Sequence, residues 1–143
     1  MKVLLVSINA KYIHTNNAVR LLKVNSPFDP EIFEYTIKDD INQIIKDIED
    51  FNPDVLGLSV YIWNVSIFTK IMKRLSLNDL KIILGGPEVS YEPDYFLKNT
   101  KADFIIKGEG EVVFNSLLNA LDNIDARIYM DEQAIKYSIP FIF

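Results

Sequence analysis

Five short apolar runs rich in β-branched residues recur along the chain at intervals of about twenty to thirty positions, at residues 3–8, 32–37, 55–60, 82–84 and 104–106. Between them the apolar period lengthens to that of a helix. Ile41, Ile44, Ile45 and Ile48 fall on one face, as do Phe68, Ile71, Met72 and Leu75, and later Val113, Leu117, Leu118 and Leu121. Strands separated by helices cannot return through tight hairpins, so they must run parallel, with crossovers that cover both faces of the sheet. The pattern therefore predicts a three-layer α/β/α sandwich on a five-stranded parallel sheet. Five strands favour the flavodoxin-like order 2-1-3-4-5 over a six-stranded dinucleotide fold.

At 143 residues, 49% of them hydrophobic and 24% charged, the chain suits one domain with a real core. Its 15 Lys and Arg are scattered among 20 acidic residues, for a net charge of -5, so nothing in it offers a footprint for a phosphate backbone. Nucleic acid is not an expected partner. The absence of cysteine removes disulfides, thiolate nucleophiles, iron–sulfur ligation and the common zinc sites from this chain, and there is one histidine. The apolar run at residues 3–6 is too short for a signal peptide or a membrane span. A cytoplasmic location without a membrane partner is the expectation.

Ligands of parallel α/β sheets bind at the carboxyl ends of the strands, which directs attention to the loops that follow them. The first, at residues 9–17, contains no glycine and so lacks the turn that brings backbone against a pyrophosphate. The third strand runs into Ser59-Val60-Tyr61-Ile62-Trp63-Asn64, which places a hydroxyl and two aromatics at or beyond the strand end, with Asn64 as an N-cap for the next helix. Ser59 as a satisfied core hydroxyl and Trp63 as a core or interface aromatic remain open beside a ligand role. Gly85-Gly86-Pro87 ends the fourth strand, where a tight turn and the close approach of a bulky ligand are equally good reasons for paired glycines. The fifth ends in Lys107-Gly108-Glu109-Gly110-Glu111, whose carboxylates suit a helix N-terminus and argue against a phosphate there. Together these loops form an uncharged rim of glycines and aromatics with no nucleophile, acid–base pair or metal cluster, suited to a large flat ligand.

A serine after strand three, Gly-Gly after strand four and Gly-Glu-Gly-Glu after strand five, in that order, resemble the cobalamin-binding domains fused to radical SAM enzymes. The segments 9–14, 61–64 and 85–90 are similar to those of a bacterial subgroup of Fe–S oxidoreductases labelled as resembling the magnesium-protoporphyrin monomethyl ester oxidative cyclase. The resemblance extends to about Asp122. It implies that the nucleotide tail of cobalamin runs down between sheet and helices beside Ser59, Gly85 and Gly86, with Tyr61, Pro87, Gly108, Gly110 and Tyr12 around it. In related corrinoid methyltransferases the first loop carries Asp-x-His-x-x-Gly, whose histidine is the lower cobalt ligand. His14 matches that histidine, but Tyr12 and Asn17 stand where the aspartate and glycine would be. His14 as cobalt ligand and His14 as a histidine at a helix start both stay open.

The same resemblance divides the chain into a cobalamin domain over residues 1–123 and a tail over 124–143 that leads toward a radical SAM domain. That domain would supply the 4Fe-4S cluster and S-adenosylmethionine, since this chain lacks the three cysteines a cluster needs. Within the tail, residues 126–130 read as an extra edge strand and 138–143 are strongly apolar. Two other readings carry weight: a flavodoxin-like FMN protein, for which residues 9–17 lack a phosphate loop, and a cofactor-free docking domain using Tyr61, Trp63 and the tail. A response-regulator receiver would need acidic residues after strands one and three, where this chain has Ser7-Ile8-Asn9 and Val60-Tyr61.

Overall fold

The computed structural model describes residues 1–11, 17–107 and 111–122. Strands β1 (Val3–Asn9), β2 (Glu31–Thr36), β3 (Val55–Ser59), β4 (Lys81–Gly85) and β5 (Phe104–Ile105) alternate with helices α1 (Asn17–Val24), α2 (Ile41–Phe51), α3 (Val65–Arg74), α4 (Pro87–Tyr91), α5 (Pro93–Asn99) and α6 (Glu111–Asp122). All strand pairs are parallel and the order is β2-β1-β3-β4-β5. The expected architecture and strand order are thus those of the molecule. Strand ends differ from the sequence-based bounds by one residue, as hydrogen bonding rather than apolarity defines them.

Local chemistry sets the element boundaries. Asp40 starts α2 by accepting the Asn42 amide at 3.0 Å, and Asn52 ends it in the left-handed conformation, at φ 54°. The β4–β5 connection carries two short helices where the apolar spacing marks no single face. Pro87 and Pro93 each stand in a first turn, and a proline that opens a helix also prevents the preceding one from running through it. The proposed edge strand at 126–130 and the tail lie outside the described residues.

Burial follows the alternation of the strands. One face of the sheet sets Leu4, Val6, Ile8, Leu56, Leu58, Ile82 and Leu84 against Ile44 and Ile48 of α2 and Phe68, Ile71 and Met72 of α3. The other sets Val3, Leu5, Val55, Ile83 and Phe104 against Val19 of α1 and Phe114, Leu117, Leu118 and Leu121 of α6. β1 and β3 are buried along their whole length, as central strands covered on both faces must be.

Candidate functional site

The residues on the α1/α6 face shrink toward the carboxyl ends of the strands. In β1 they run Val3, Leu5, Ser7; in β3, Val55, Gly57, Ser59; in β4, Ile83, Gly85. Register places Ser7 beside Ser59 and Ser59 beside Gly85, so a row of small residues crosses three adjacent strands. Where large side chains stop, the helices above cannot close onto the sheet. A cavity of about 890 Å³ opens there, lined by Leu5, Gly57, Ser59, Ile83 and Gly85 on the sheet side and by Val19, Leu22 and Phe114 on the helix side. Tyr61, Gly86, Pro87, Ser90 and Tyr91 form its rim wall. None of the described lining residues carries a charge.

The two glycines after β4 do different work. A Cβ built on Gly85 would meet nothing within 4 Å, so its missing side chain opens space over the sheet. Gly86 sits at φ +107°, and a Cβ there would run into the Val60 backbone oxygen and come within 2.9 Å of the Val60 nitrogen. It is a glycine because β3 and β4 close tightly at this point, where the Val60 amide donates to the Gly85 carbonyl at 2.8 Å. Of the two reasons open for paired glycines, space applies at Gly85 and the tight turn at Gly86.

Asn64 stands at the N-cap position of α3, as expected, but its side chain makes no capping hydrogen bond to that helix. Completely buried, its amide nitrogen donates to the carbonyls of Ile8 at 3.0 Å and Ser59 at 3.1 Å, while its oxygen accepts the Tyr61 amide at 2.8 Å. The side chain therefore ties the ends of β1 and β3 to the following loop instead of satisfying a helix end. Trp63 adds a second tie, its indole N–H donating to the same Ile8 carbonyl at 3.0 Å. Its ring stacks on Tyr61 at 4.5 Å and 7°, giving a braced aromatic pair at the carboxyl edge. Trp63 is thus a structural member of the rim, a role the sequence left undecided.

Of the residues expected to hold a ligand, Ser59, Tyr61, Gly85, Gly86 and Pro87 come together around this one cavity. Tyr12, His14, Gly108 and Gly110 lie outside the described residues. Sequence reasoning passed over Ser7, Gly57 and Phe114. The first two were legible as the small members of the alternating series Val-x-Leu-x-Ser and Val-x-Gly-x-Ser; Phe114 shows its role only once α6 is laid over the sheet.

A family model described as the B12 binding domain matches residues 4–118. The chain belongs to this B12-binding domain family. Family membership makes cobalamin the cofactor of the fold. Among curated relatives, the cobalamin-dependent radical SAM methyltransferase TokK of Streptomyces tokunonensis is 39% identical over 69 residues, which is 46% of this chain and 10% of that protein. An uncharacterized methyltransferase of Pyrococcus horikoshii is 30% identical over 84 residues, covering 56% of this chain and 18% of that one. The chain thus spans less than a fifth of the length of these relatives. Among solved structures, a cobalamin-binding protein from Desulfitobacterium hafniense superposes with a TM-score of 0.58 at 21% identity, over 79% of this chain and 55% of that one. The cobalamin-dependent S-adenosylmethionine radical enzyme OxsB does so with a TM-score of 0.61 at 23% identity, over 85% of this chain and 18% of the enzyme. These two likenesses bear on the fold.

The residues of the groove fit a B12-type cofactor. Its volume falls within the range of about 300–1,000 Å³ that encloses an extended organic ligand of drug size, such as a nucleotide tail. Gly85 offers the clearance such a tail needs, and the lining is apolar with a few hydroxyls. No helix among the described residues is long and apolar enough to cross a membrane.

Proposed function

We propose that this B12-binding domain holds cobalamin by its nucleotide tail in the groove over Gly85 and presents the corrin to a radical SAM domain. The observation that carries the placement is the open space above Gly85 beside Ser59, inside a cavity with no charged described residue. Ser59 and the backbone around Gly85 would flank the tail, Leu5, Val19 and Phe114 would exclude water from it, and the stacked Tyr61–Trp63 pair would brace the rim beneath the corrin. Gly108, Gly110, Tyr12 and His14 join this reading by their place in the sequence, His14 as a candidate lower ligand of cobalt.

When bound, cobalamin supplies a cobalt centre that carries a methyl group or an electron. The chain's own part is to seat, orient and shield. A carrier role fits a groove whose lining holds no acid–base pair among the described residues. The partner domain is supported by the relatives, two of which are cobalamin-dependent radical SAM enzymes by name. It is supported as well by the rim, where Ile62, Trp63 and Tyr91 are 76%, 43% and 90% exposed. In this reading residues 1–123 are the cobalamin domain, and residues 124–143 lead to a domain that brings the 4Fe-4S cluster and S-adenosylmethionine. Placement in the cyclase-like subgroup rests on the loop segments at 9–14, 61–64 and 85–90.

The test is to incubate the purified chain with hydroxocobalamin, desalt it and record the visible spectrum beside Gly85→Leu. A corrin spectrum that travels with the wild type and is lost in the folded variant is the expected result. Equal colour in both would remove the tail from this groove.

A further inference from the structure

Ser7 lies two residues beyond Leu5 on β1 and therefore on the same face of the sheet, in register with Ser59. Both of those neighbours line the cavity, so Ser7 adjoins its wall, at the β1 end of the row Ser7, Ser59, Gly85. Its side chain is completely buried, and its hydroxyl has no hydrogen-bond partner among the described residues. Buried hydroxyls are nearly always paired, because leaving one unpaired forfeits its hydration with nothing in return. A strand position that needed only a small side chain would be served better by alanine. Among the described residues the other buried polar atom in this condition, Asn115 Oδ1, belongs to an amide that already donates to the Asn25 carbonyl at 2.7 Å.

We infer that Ser7 is a ligand-binding residue whose hydroxyl is reserved for a neutral hydrogen-bonding atom of the inserted cofactor tail. This deepens the cobalamin reading and rests on it. The chemistry fits the surroundings: the described lining has no charge to hold a multiply charged phosphate at depth, whereas a lone hydroxyl in an apolar layer recognises one polar atom of an otherwise flat, apolar group. A tail that fills the cavity as far as Leu5 passes the level of Ser59 and Ser7, where the hydroxyl can meet it from the side.

The experiment titrates the full 143-residue chain with hydroxocobalamin and with cobinamide, which has the corrin but no nucleotide tail, in the wild type, Ser7→Ala and Gly85→Leu. One hydrogen bond lost from the complex should weaken cobalamin binding by Ser7→Ala about five- to tenfold. Cobinamide binding should stay at the wild-type value, and the ligand-free melting temperature of Ser7→Ala should be equal or higher, since the substitution removes an unpaired polar group. Unchanged cobalamin affinity, an equal loss for cobinamide, or a lower melting temperature would each overturn the assignment. If Gly85→Leu loses cobalamin while Ser7→Ala binds like the wild type, Ser7 falls and the groove stands. A wild type that binds no cobalamin brings down both.

Discussion

The same strands build two different faces. On the α2/α3 side every inward position to the carboxyl ends is large and apolar, through Ile8 in β1, Leu58 in β3 and Leu84 in β4, and helices close over them with Phe68 and Ile71 completely buried. On the α1/α6 side the alternate positions begin equally large, at Val3, Val55 and Ile83, and end in Ser7, Ser59 and Gly85. Because side chains alternate along a strand, one short sequence writes both a sealed core and a groove without any insertion. The lesson is that stability and ligand space are allotted to opposite faces at one-residue resolution, so neighbouring substitutions should have unlike consequences.

The largest effect expected is on the sealed face. Phe68→Ala removes a fully buried ring from close-packed surroundings and should cost about 3–5 kcal/mol, through lost transfer energy and the hole left behind. Phe114→Ala takes away an equally large ring, but one that borders the cavity, so the new space merges with space already present and the hole penalty shrinks. Urea unfolding of the two variants should show Phe114→Ala as the milder by about 1 kcal/mol or more. Equal costs would mean that the α1/α6 face is packed as tightly as its opposite, and the comparison would fail.

Next in size is the seam where both faces meet the rim. Asn64→Ala removes the buried partner of the Tyr61 amide and a buried donor to the Ser59 carbonyl, and leaves the Ile8 carbonyl to Trp63 alone. The loss of these buried hydrogen bonds should cost about 2–4 kcal/mol. The Tyr61–Trp63 pair hangs on the same loop, so tryptophan fluorescence should shift in the folded variant as well. A variant that loses stability with an unmoved tryptophan spectrum would show that the Trp63 tie to Ile8 holds the rim without Asn64.

Strands and core helices were legible because they follow from period and spacing, which one sequence displays directly: Ile44, Ile48, Phe68, Ile71 and Met72 all lie where helical spacing put them, whereas the strand order came from the topology that five parallel strands favour. The rim was legible as a set, since Ser59, Tyr61, Gly85, Gly86 and Pro87 each follow a strand and the topology gathers such residues at one edge. What could not be read was each residue's reason for being there. An asparagine before a helix is most often a cap, and only the three-dimensional approach of the β1 end turns Asn64 into a tie. Ser7 was passed over because a sequence does not display whether a hydroxyl in a central strand has a partner. Paired glycines give no hint of which one yields space and which one yields backbone freedom.

That last ambiguity gives the smallest and sharpest contrast. Gly86→Ala forces a side chain onto φ +107° and against the Val60 backbone, which has no flexible end to move aside, so about 1–3 kcal/mol of stability should be lost. Gly85→Ala, one residue earlier, places its methyl group in open space on an ordinary strand, and its ligand-free stability should stay within about 0.5 kcal/mol of the wild type. The order should reverse for the cofactor. Measured on folded protein, the methyl group at Gly85 intrudes on the tail's path, whereas the one at Gly86 is turned toward Val60 and away from it. A Gly85→Ala variant that is stable yet weaker for cobalamin, beside a Gly86→Ala variant that is unstable yet close to wild-type affinity while folded, would separate the two glycines as clearance and hinge. If both variants lost stability and affinity in step, the paired glycines would be one tight turn, and the opening above Gly85 would have no claim on the ligand.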